Sequence, residues 1–79
     1  MAKFIKIEKD SFFQEAGKPL YHIINKKGND ILARFIWYPV WKRWVCQFTE
    51  TSVWSDDCLQ TVRLWLQELN KTGMIKEAQ

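Results

Sequence analysis

The spacing of apolar side chains changes once along this 79-residue chain, close to Ser55, and that change limits the folds open to it. Before Ser55, runs such as Phe4–Glu8 alternate apolar and polar residues with the period of two that is typical of β-strands. After Ser55, apolar residues recur at the helical period of 3.6. The pattern predicts an α+β fold in which strands precede one helix, as a single domain over residues 1–79.

The region before Ser55 predicts a small antiparallel sheet of three to four strands, because its last three strands are joined by short turns. The predicted strands, in chain order, are Phe4–Glu8, Tyr21–Asn25, Ile31–Tyr38 and Arg43–Glu50. Gly17 and Pro19 break the pattern after the first strand. Asp10–Pro19 is therefore expected to be an irregular connection with room for one short helical turn at Ser11–Glu15.

Two turns join the last three predicted strands. Gly28-Asn29 separates the second strand from the third, and glycine at the first position of a two-residue loop favours a type II′ hairpin turn. Pro39–Lys42 separates the third strand from the fourth. Val40 and Trp41 do not accept positive φ easily, so a four-residue loop with Trp41 at its tip is expected there.

The segment after Ser55 predicts a helix over Asp56–Thr72. Ser55 is a favourable N-cap, Asp56 and Asp57 place negative charge at the positive end of the helix dipole, and Gly73 provides a stop. Steps of 100° per residue gather the apolar side chains into one core-facing stripe. The stripe comprises Cys58, Leu59, Val62, Trp65, Leu66 and Leu69, with Leu64 outside it. The predicted order is β-β-β-β-α, with the helix packed on one face of the sheet.

The turn at Gly28-Asn29 sets the register predicted for the hairpin. It pairs His22 with Phe35 and Ile24 with Ala33, and it sets Tyr21 against Ile36. The same parity continues into the fourth strand, where Trp44 is set against Trp37. The face predicted to lie under the helix carries His22, Ile24, Ile31, Ala33, Phe35, Trp37, Trp44, Cys46 and Phe48. The opposite face is predicted to carry Tyr21, Ile23, Leu32, Arg34, Ile36, Tyr38, Arg43, Val45, Gln47 and Thr49.

One helix is too small to cover both faces of such a sheet. A helix of about 16 residues is ~24 Å long and ~10 Å wide, so it shadows about 240 Å². Three or four strands of about six residues make roughly 300–400 Å² per side. An exposed mixed patch of that size is usually an interaction surface. The candidate partner-binding residues are Tyr21, Ile23, Arg34, Ile36, Tyr38, Trp41, Arg43 and Val45.

The segment from Phe35 to Trp44 supports this interpretation, because five of its ten residues are aromatic. A domain of this length has little interior in which to bury so much ring surface. Trp41 stands beside Lys42 and Arg43 in the expected loop. Tryptophan and arginine dominate interface hot spots, so Trp41 is as consistent with a binding anchor as with a lid over the end of the sheet.

No pattern in the sequence indicates catalysis, a metal or a cofactor. His22 is the only histidine and falls on the predicted helix-covered side, where a hydrogen-bonded structural role is expected. Cys46 and Cys58 form no C-x-x-C pair and have only this histidine as a further ligand, so a zinc site lacks ligands. We expect a protein that is not an enzyme and that holds no cofactor or metal.

The sequence also predicts no contact with a membrane. Its longest apolar run, Phe35–Trp41, contains a proline and is far too short to cross a bilayer. The start Met1-Ala2-Lys3-Phe4 lacks the character of a signal peptide. A cytoplasmic protein with free thiols is therefore expected.

Two classes of binding remain open at this stage. Protein association, as a homodimer or as an adaptor or inhibitor docked on a larger protein, is favoured by the apolar side chains of the open face and by a net charge of +3. Nucleic-acid binding is the alternative, since the pI is near 9.0 and Tyr21, Tyr38, Arg34 and Arg43 are predicted to share that face. Acidic residues spread through the same segments count against it, because nucleic-acid binders usually segregate their cations.

Overall fold

The computed structural model describes residues 4–15 and 17–78, which form one four-stranded antiparallel sheet and one C-terminal helix. The elements are β1 (Ile5–Glu15), β2 (Lys18–Asn25), β3 (Ile31–Tyr38), β4 (Arg43–Phe48) and α1 (Asp56–Thr72). The strands lie in the order β1-β2-β3-β4, so each pairs with its neighbours in the chain. The predicted α+β fold of four strands followed by a helix is confirmed.

The first hairpin differs from the sequence prediction, because β1 continues to Glu15 where an irregular connection was expected. Gly17 has a φ of 77° at the turn, and Glu15 pairs with Lys18 directly across it. The register shifts between Asp10 and Gln14, and the Asp10 carboxylate accepts a hydrogen bond from the Phe12 amide at 3.0 Å. This bulge interrupts the alternation of apolar and polar side chains along β1. The sequence pattern of a bulged strand therefore resembles that of an irregular connection. The helical turn allowed at Ser11–Glu15 is also wrong.

The register predicted for β2 and β3 is wrong by one residue. The loop spans four residues: the Asn25 amide bonds the Asp30 carbonyl at 2.8 Å, and Gly28 and Asn29 have φ values of 104° and 60°. A shift between Ile24 and Ile23 then pairs Tyr21 with Phe35, where Ile36 was predicted. Since side chains alternate with a period of two, a one-residue slip moves every side chain of β2 to the other face.

The second predicted turn is confirmed. Tyr38 pairs with Arg43 across the four-residue loop, and Lys42 takes the left-handed conformation, at a φ of 53°, that closes it. Trp41 stands at the tip with 65% of its surface exposed. The predicted pairs of Trp37 with Trp44, and those further along β3 and β4, are present as well. β4 ends at Phe48, two residues before the predicted boundary.

Helix α1 has the predicted bounds and the predicted caps. The Ser55 hydroxyl accepts a hydrogen bond from the Cys58 amide at 3.2 Å, and Gly73, at a φ of 82°, donates its amide to the Leu69 carbonyl at 2.8 Å. The buried stripe is narrower than predicted: it comprises Cys58, Val62, Trp65 and Leu69, with Leu66 half-buried. Leu59 is 45% exposed, so its assignment to the stripe was wrong, because it lies at the margin of the arc that the sheet covers.

The core lies between α1 and one face of the sheet. The buried stripe of α1 packs against a set of sheet residues and one residue of the tail: Ile5, Ile7, Tyr21, Ile23, Ala33, Phe35, Trp44 and Ile75. The tail after α1 is held by side chains of the helix, since the Trp65 indole donates to the Glu77 carboxylate and Glu68 accepts from the Lys76 amide at 2.9 Å. Ile75 thereby closes the core beside Tyr21.

Leu69 and Leu64 form a matched test of this packing. Leu69 is almost fully buried and Leu64 is 56% exposed on the same helix. Leu69→Ala should lower the free energy of unfolding by about 2–5 kcal/mol, because it removes contacts and leaves a cavity. Leu64→Ala should change it by less than about 0.5 kcal/mol. Urea titration monitored by circular dichroism measures both free energies of unfolding. Equal losses of stability in the two variants would contradict the packing of α1 described above.

Candidate functional site

The face of the sheet turned away from α1, here called the outer face, is the candidate functional site. The observed register places rows of side chains across it, one of which runs Glu8, His22, Arg34 and Gln47 over the four strands. The one helix of the described residues lies on the opposite face, over the core. The outer face carries Lys6, Glu8, Asp10, Leu20, His22, Ile24, Arg34, Ile36, Tyr38, Arg43, Val45 and Gln47.

Two of the eight candidate residues lie on the opposite face, and a third, Arg43, has the register of the outer face but lines a different surface. Tyr21 and Ile23 are 1% and 0% exposed, under the helix, so placing them on the open face was wrong. Arg43 begins β4 at the edge of the sheet, and its side chain lines a groove against α1. The other five remain together and are called the outer patch: Arg34, Ile36, Tyr38, Trp41 and Val45.

The outer patch has an apolar centre and an aromatic end. Ile36 and Val45 lie directly opposite each other across β3 and β4, and both are half-buried. The Trp41 ring packs against the Tyr38 ring in an edge-to-face arrangement, with centroids 4.9 Å apart and planes at 78°. This geometry is favourable for aromatic pairs and holds the exposed indole in place.

Charge is divided between the two halves of the outer face. The β1–β2 half carries acids: Glu8 lies 3.6 Å from the Lys6 ammonium, and Asp10 Oδ2 lies 3.1 Å from His22 Nε2. The β3–β4 half carries Arg34, which is exposed and makes no ion pair with any described residue. With two carboxylates and one ammonium on the β1–β2 half and one guanidinium on the β3–β4 half, the outer face is weakly acidic on one side and weakly cationic on the other.

His22 lies on the outer face, whereas the sequence placed it on the helix-covered side. That prediction was wrong because the register of β2 against β3 was wrong by one residue. Its imidazole keeps the hydrogen-bonded role expected of it, through Asp10. Its Nδ1 atom is buried and has no hydrogen-bond partner in the described structure. Asp10 is held by its own bulge through the Phe12 amide, so the pair joins β1 to β2 at a defined position.

Asn70 is the structural residue that the sequence analysis missed. Its side-chain amide accepts a hydrogen bond from the Trp44 backbone amide at 2.8 Å and donates one to the Trp44 carbonyl at 3.2 Å. The side chain thus imitates a neighbouring strand and occupies part of the open edge of β4. One signal was present: asparagine has low helix propensity, so its place in the last turns of α1 requires a compensating contact.

Chemically reactive groups do not converge in the described residues. Across residues 4–15 and 17–78, no three His, Cys, Asp or Glu side chains lie close enough to hold a metal ion. Cys46 and Cys58 are both free thiols. Burial raises the pKa of the Cys46 thiol from 9.0 to about 11, because the thiolate would lose its hydration there. Within the part of the chain described, no helix has the length and apolar character needed to cross a membrane.

Comparison of the chain with models of protein families, with curated proteins and with solved structures finds no match.

The raised pKa of Cys46 predicts slow thiol labelling of the folded protein. In a Cys58→Ala variant, alkylation at pH 8 should be about 100-fold slower than for a thiol of ordinary pKa, because the thiolate is the reacting species. The rate should rise about tenfold per pH unit between pH 8 and 10. The same variant unfolded in guanidinium provides the control. A rate that levels off above pH 9 in the folded protein would contradict the raised pKa.

Proposed function

We propose that this protein is a non-enzymatic binding module that forms a homodimer through the outer face of its sheet. The observation that carries the proposal is the outer patch itself. An exposed tryptophan, held against Tyr38, borders the apolar pair of Ile36 and Val45 on the face that α1 does not cover. Tryptophan, tyrosine and arginine are the residues that dominate interface hot spots.

A second copy of the chain is the partner that the charges of the outer face suit. A two-fold axis parallel to the strands sets β1 against β4 of the partner subunit, and β2 against β3. The acidic half of one copy then meets the cationic half of the other. Because Glu8, His22 and Arg34 lie in one row across the sheet, Arg34 then faces His22 of the partner subunit. Glu8 of the partner subunit is displaced from that position by one strand spacing, ~4.8 Å, across the sheet, and the long Arg34 side chain can reach it.

The size of the face sets the strength of the expected dimer. Four strands at ~4.8 Å spacing and about six residues at ~3.3 Å each give a face of roughly 19 by 20 Å, or about 400 Å². Stable interfaces bury about 800 Å² per partner, so a contact confined to this face would be weak. Trp41 and Val40, both exposed at the turn, extend the surface beyond the flat sheet. We expect dissociation in the micromolar range.

Two other occupants of the same face are less well supported. A nucleic acid would meet Glu8 and Asp10 on the face that carries Arg34, and Tyr21 is no longer available for stacking. If this protein acted as an adaptor or inhibitor, a larger protein could bind the same outer patch. That binding would not explain why the charges of the outer face are divided between its two halves. We place the homodimer in the cytoplasm, where the free thiols of Cys46 and Cys58 would stay reduced.

Charge placed in the apolar centre tests the interface. Val45→Asp should leave a folded monomer, since a carboxylate is harmless in water and costly when buried against a partner. Trp41→Ala should weaken dimerisation by more than about 1–2 kcal/mol. Leu64→Asp, on the exposed side of α1, is the matched control and should leave the dimer intact. Sedimentation velocity over a concentration series gives the mass. A wild-type protein that stays monomeric at hundreds of micromolar would refute the proposal.

A charge exchange tests the orientation of the two copies. Arg34→Glu and Glu8→Arg should each weaken self-association, because each variant sets like charges against one another across the two-fold axis. An equimolar mixture should recover the dimer mass, because each contact in the mixed dimer then joins opposite charges. Circular dichroism checks that both variants remain folded. If Val45→Asp abolishes the dimer but the mixture does not recover it, the axis does not run along the strands.

A further inference from the structure

An open groove runs between the start of β4 and the C-terminal half of α1. Its volume is about 390 Å³, and its lining combines three cations with two amides and one leucine: Arg43, Arg63, Lys71, Gln67, Asn70 and Leu66. The five helical residues fall at i, i+3, i+4, i+7 and i+8, which is one face of a helix. The groove therefore belongs to the edge of the sheet and is separate from the outer patch.

The three cations of the groove have no counter-charge in the described structure. The side chains of Arg43, Arg63 and Lys71 make no ion pair or hydrogen bond with any described residue. The negative end of the helix dipole accounts for Lys71, which lies in the last turn. It does not account for Arg63, more than two turns earlier, or for Arg43 on the sheet.

The acids closest in sequence to these cations are directed elsewhere. Glu68 accepts a hydrogen bond from the Lys76 amide, and Glu77 accepts one from the Trp65 indole, so both engage the tail that closes the core. Asp56 and Asp57 occupy the first turn of α1, at its opposite end. Among the described residues, the groove lining contains no acid. Folding therefore separates charges that are interspersed in the sequence.

The groove walls are held at a fixed distance by Asn70. Its two hydrogen bonds to the Trp44 backbone join α1 to the edge strand beside Arg43. Arg63, Gln67 and Lys71 lie at steps of four residues, so Arg63 and Lys71 are about 12 Å apart along the helix axis. At ~3.4 Å of rise per nucleotide, that length spans about three to four phosphates of one stacked strand.

We infer that this groove binds the phosphate backbone of a single-stranded nucleic acid. Arg43, Arg63 and Lys71 contact the phosphates, and Gln67 donates a hydrogen bond to the backbone between them. Arg63 and Lys71 line the α1 wall and Arg43 lines the β4 wall, so the groove holds one phosphate backbone between them, whereas a duplex presents two. The site carries no feature that reads a base, so binding is independent of sequence and depends on salt.

Fluorescence anisotropy with a labelled 12-nucleotide single strand measures this binding. Three phosphate contacts predict a slope of about −2 for log K against log salt, which is a loss of roughly 20-fold between 50 and 200 mM. Arg63→Gln, Lys71→Gln and Arg43→Gln should each weaken binding severalfold at 50 mM salt and reduce the slope by about 0.7. The three changes combined should abolish it.

Lys26→Gln and Lys27→Gln are matched controls, since each removes one charge from an exposed position outside the groove and outside the outer patch. Each should change the affinity by less than twofold. Equal losses in controls and groove variants would mean that net charge alone attracts the strand, and would overturn the inference. So would tighter binding of the matching duplex, or binding of inorganic triphosphate with the same affinity as the strand.

The monomeric Val45→Asp variant separates this inference from the proposed dimer. Its substitution lies on the outer face, outside the groove, so binding of the strand per chain should be retained. Loss of strand binding in a folded Val45→Asp monomer would show that the groove acts only within a dimer, and would overturn its assignment as an independent site.

Discussion

The pairing of β2 with β3 determines which surface of this protein is free to bind. A four-residue loop and a register shift at Ile24 place Tyr21 and Ile23 under α1. The same pairing turns His22 and Ile24 outward. That register determines the core, the division of charge on the outer face and the composition of the outer patch, because each side chain of a strand points to one of the two faces of the sheet.

Asn70 provides the second constraint, since its carboxamide fixes α1 to the edge of β4 through the Trp44 backbone. Those two hydrogen bonds cover part of an edge that would otherwise be open to pairing with another strand. They also set the walls of the cationic groove beside Arg43. One polar side chain therefore acts both on the stability of the sheet edge and on the shape of a surface that we assign to binding.

The two proposed surfaces meet at the β3–β4 turn without sharing residues. Trp41 belongs to the outer patch through Tyr38, while Arg43, two residues later, belongs to the groove. A dimer through the outer faces would leave both grooves at its periphery. Two nucleic-acid strands, or two segments of one nucleic-acid strand, could reach them there. Linking two such sites would raise affinity by effective concentration without any new contact.

The sequence by itself determined the local features. The helix from Asp56 to Thr72, its caps at Ser55 and Gly73, and the four-residue turn at Trp41 depend on neighbouring residues, and those predictions hold. The pairing of β2 with β3 and of β3 with β4 also follows, because short connections force neighbours to pair. The face assigned to Tyr21 and Ile23 could not be obtained in this way, since a bulge at one position reverses all side chains beyond it and leaves no strong mark in composition. Asn70 and the groove likewise required the tertiary structure, because they join residues 26 positions apart, Trp44 and Asn70, through contacts that no local pattern encodes.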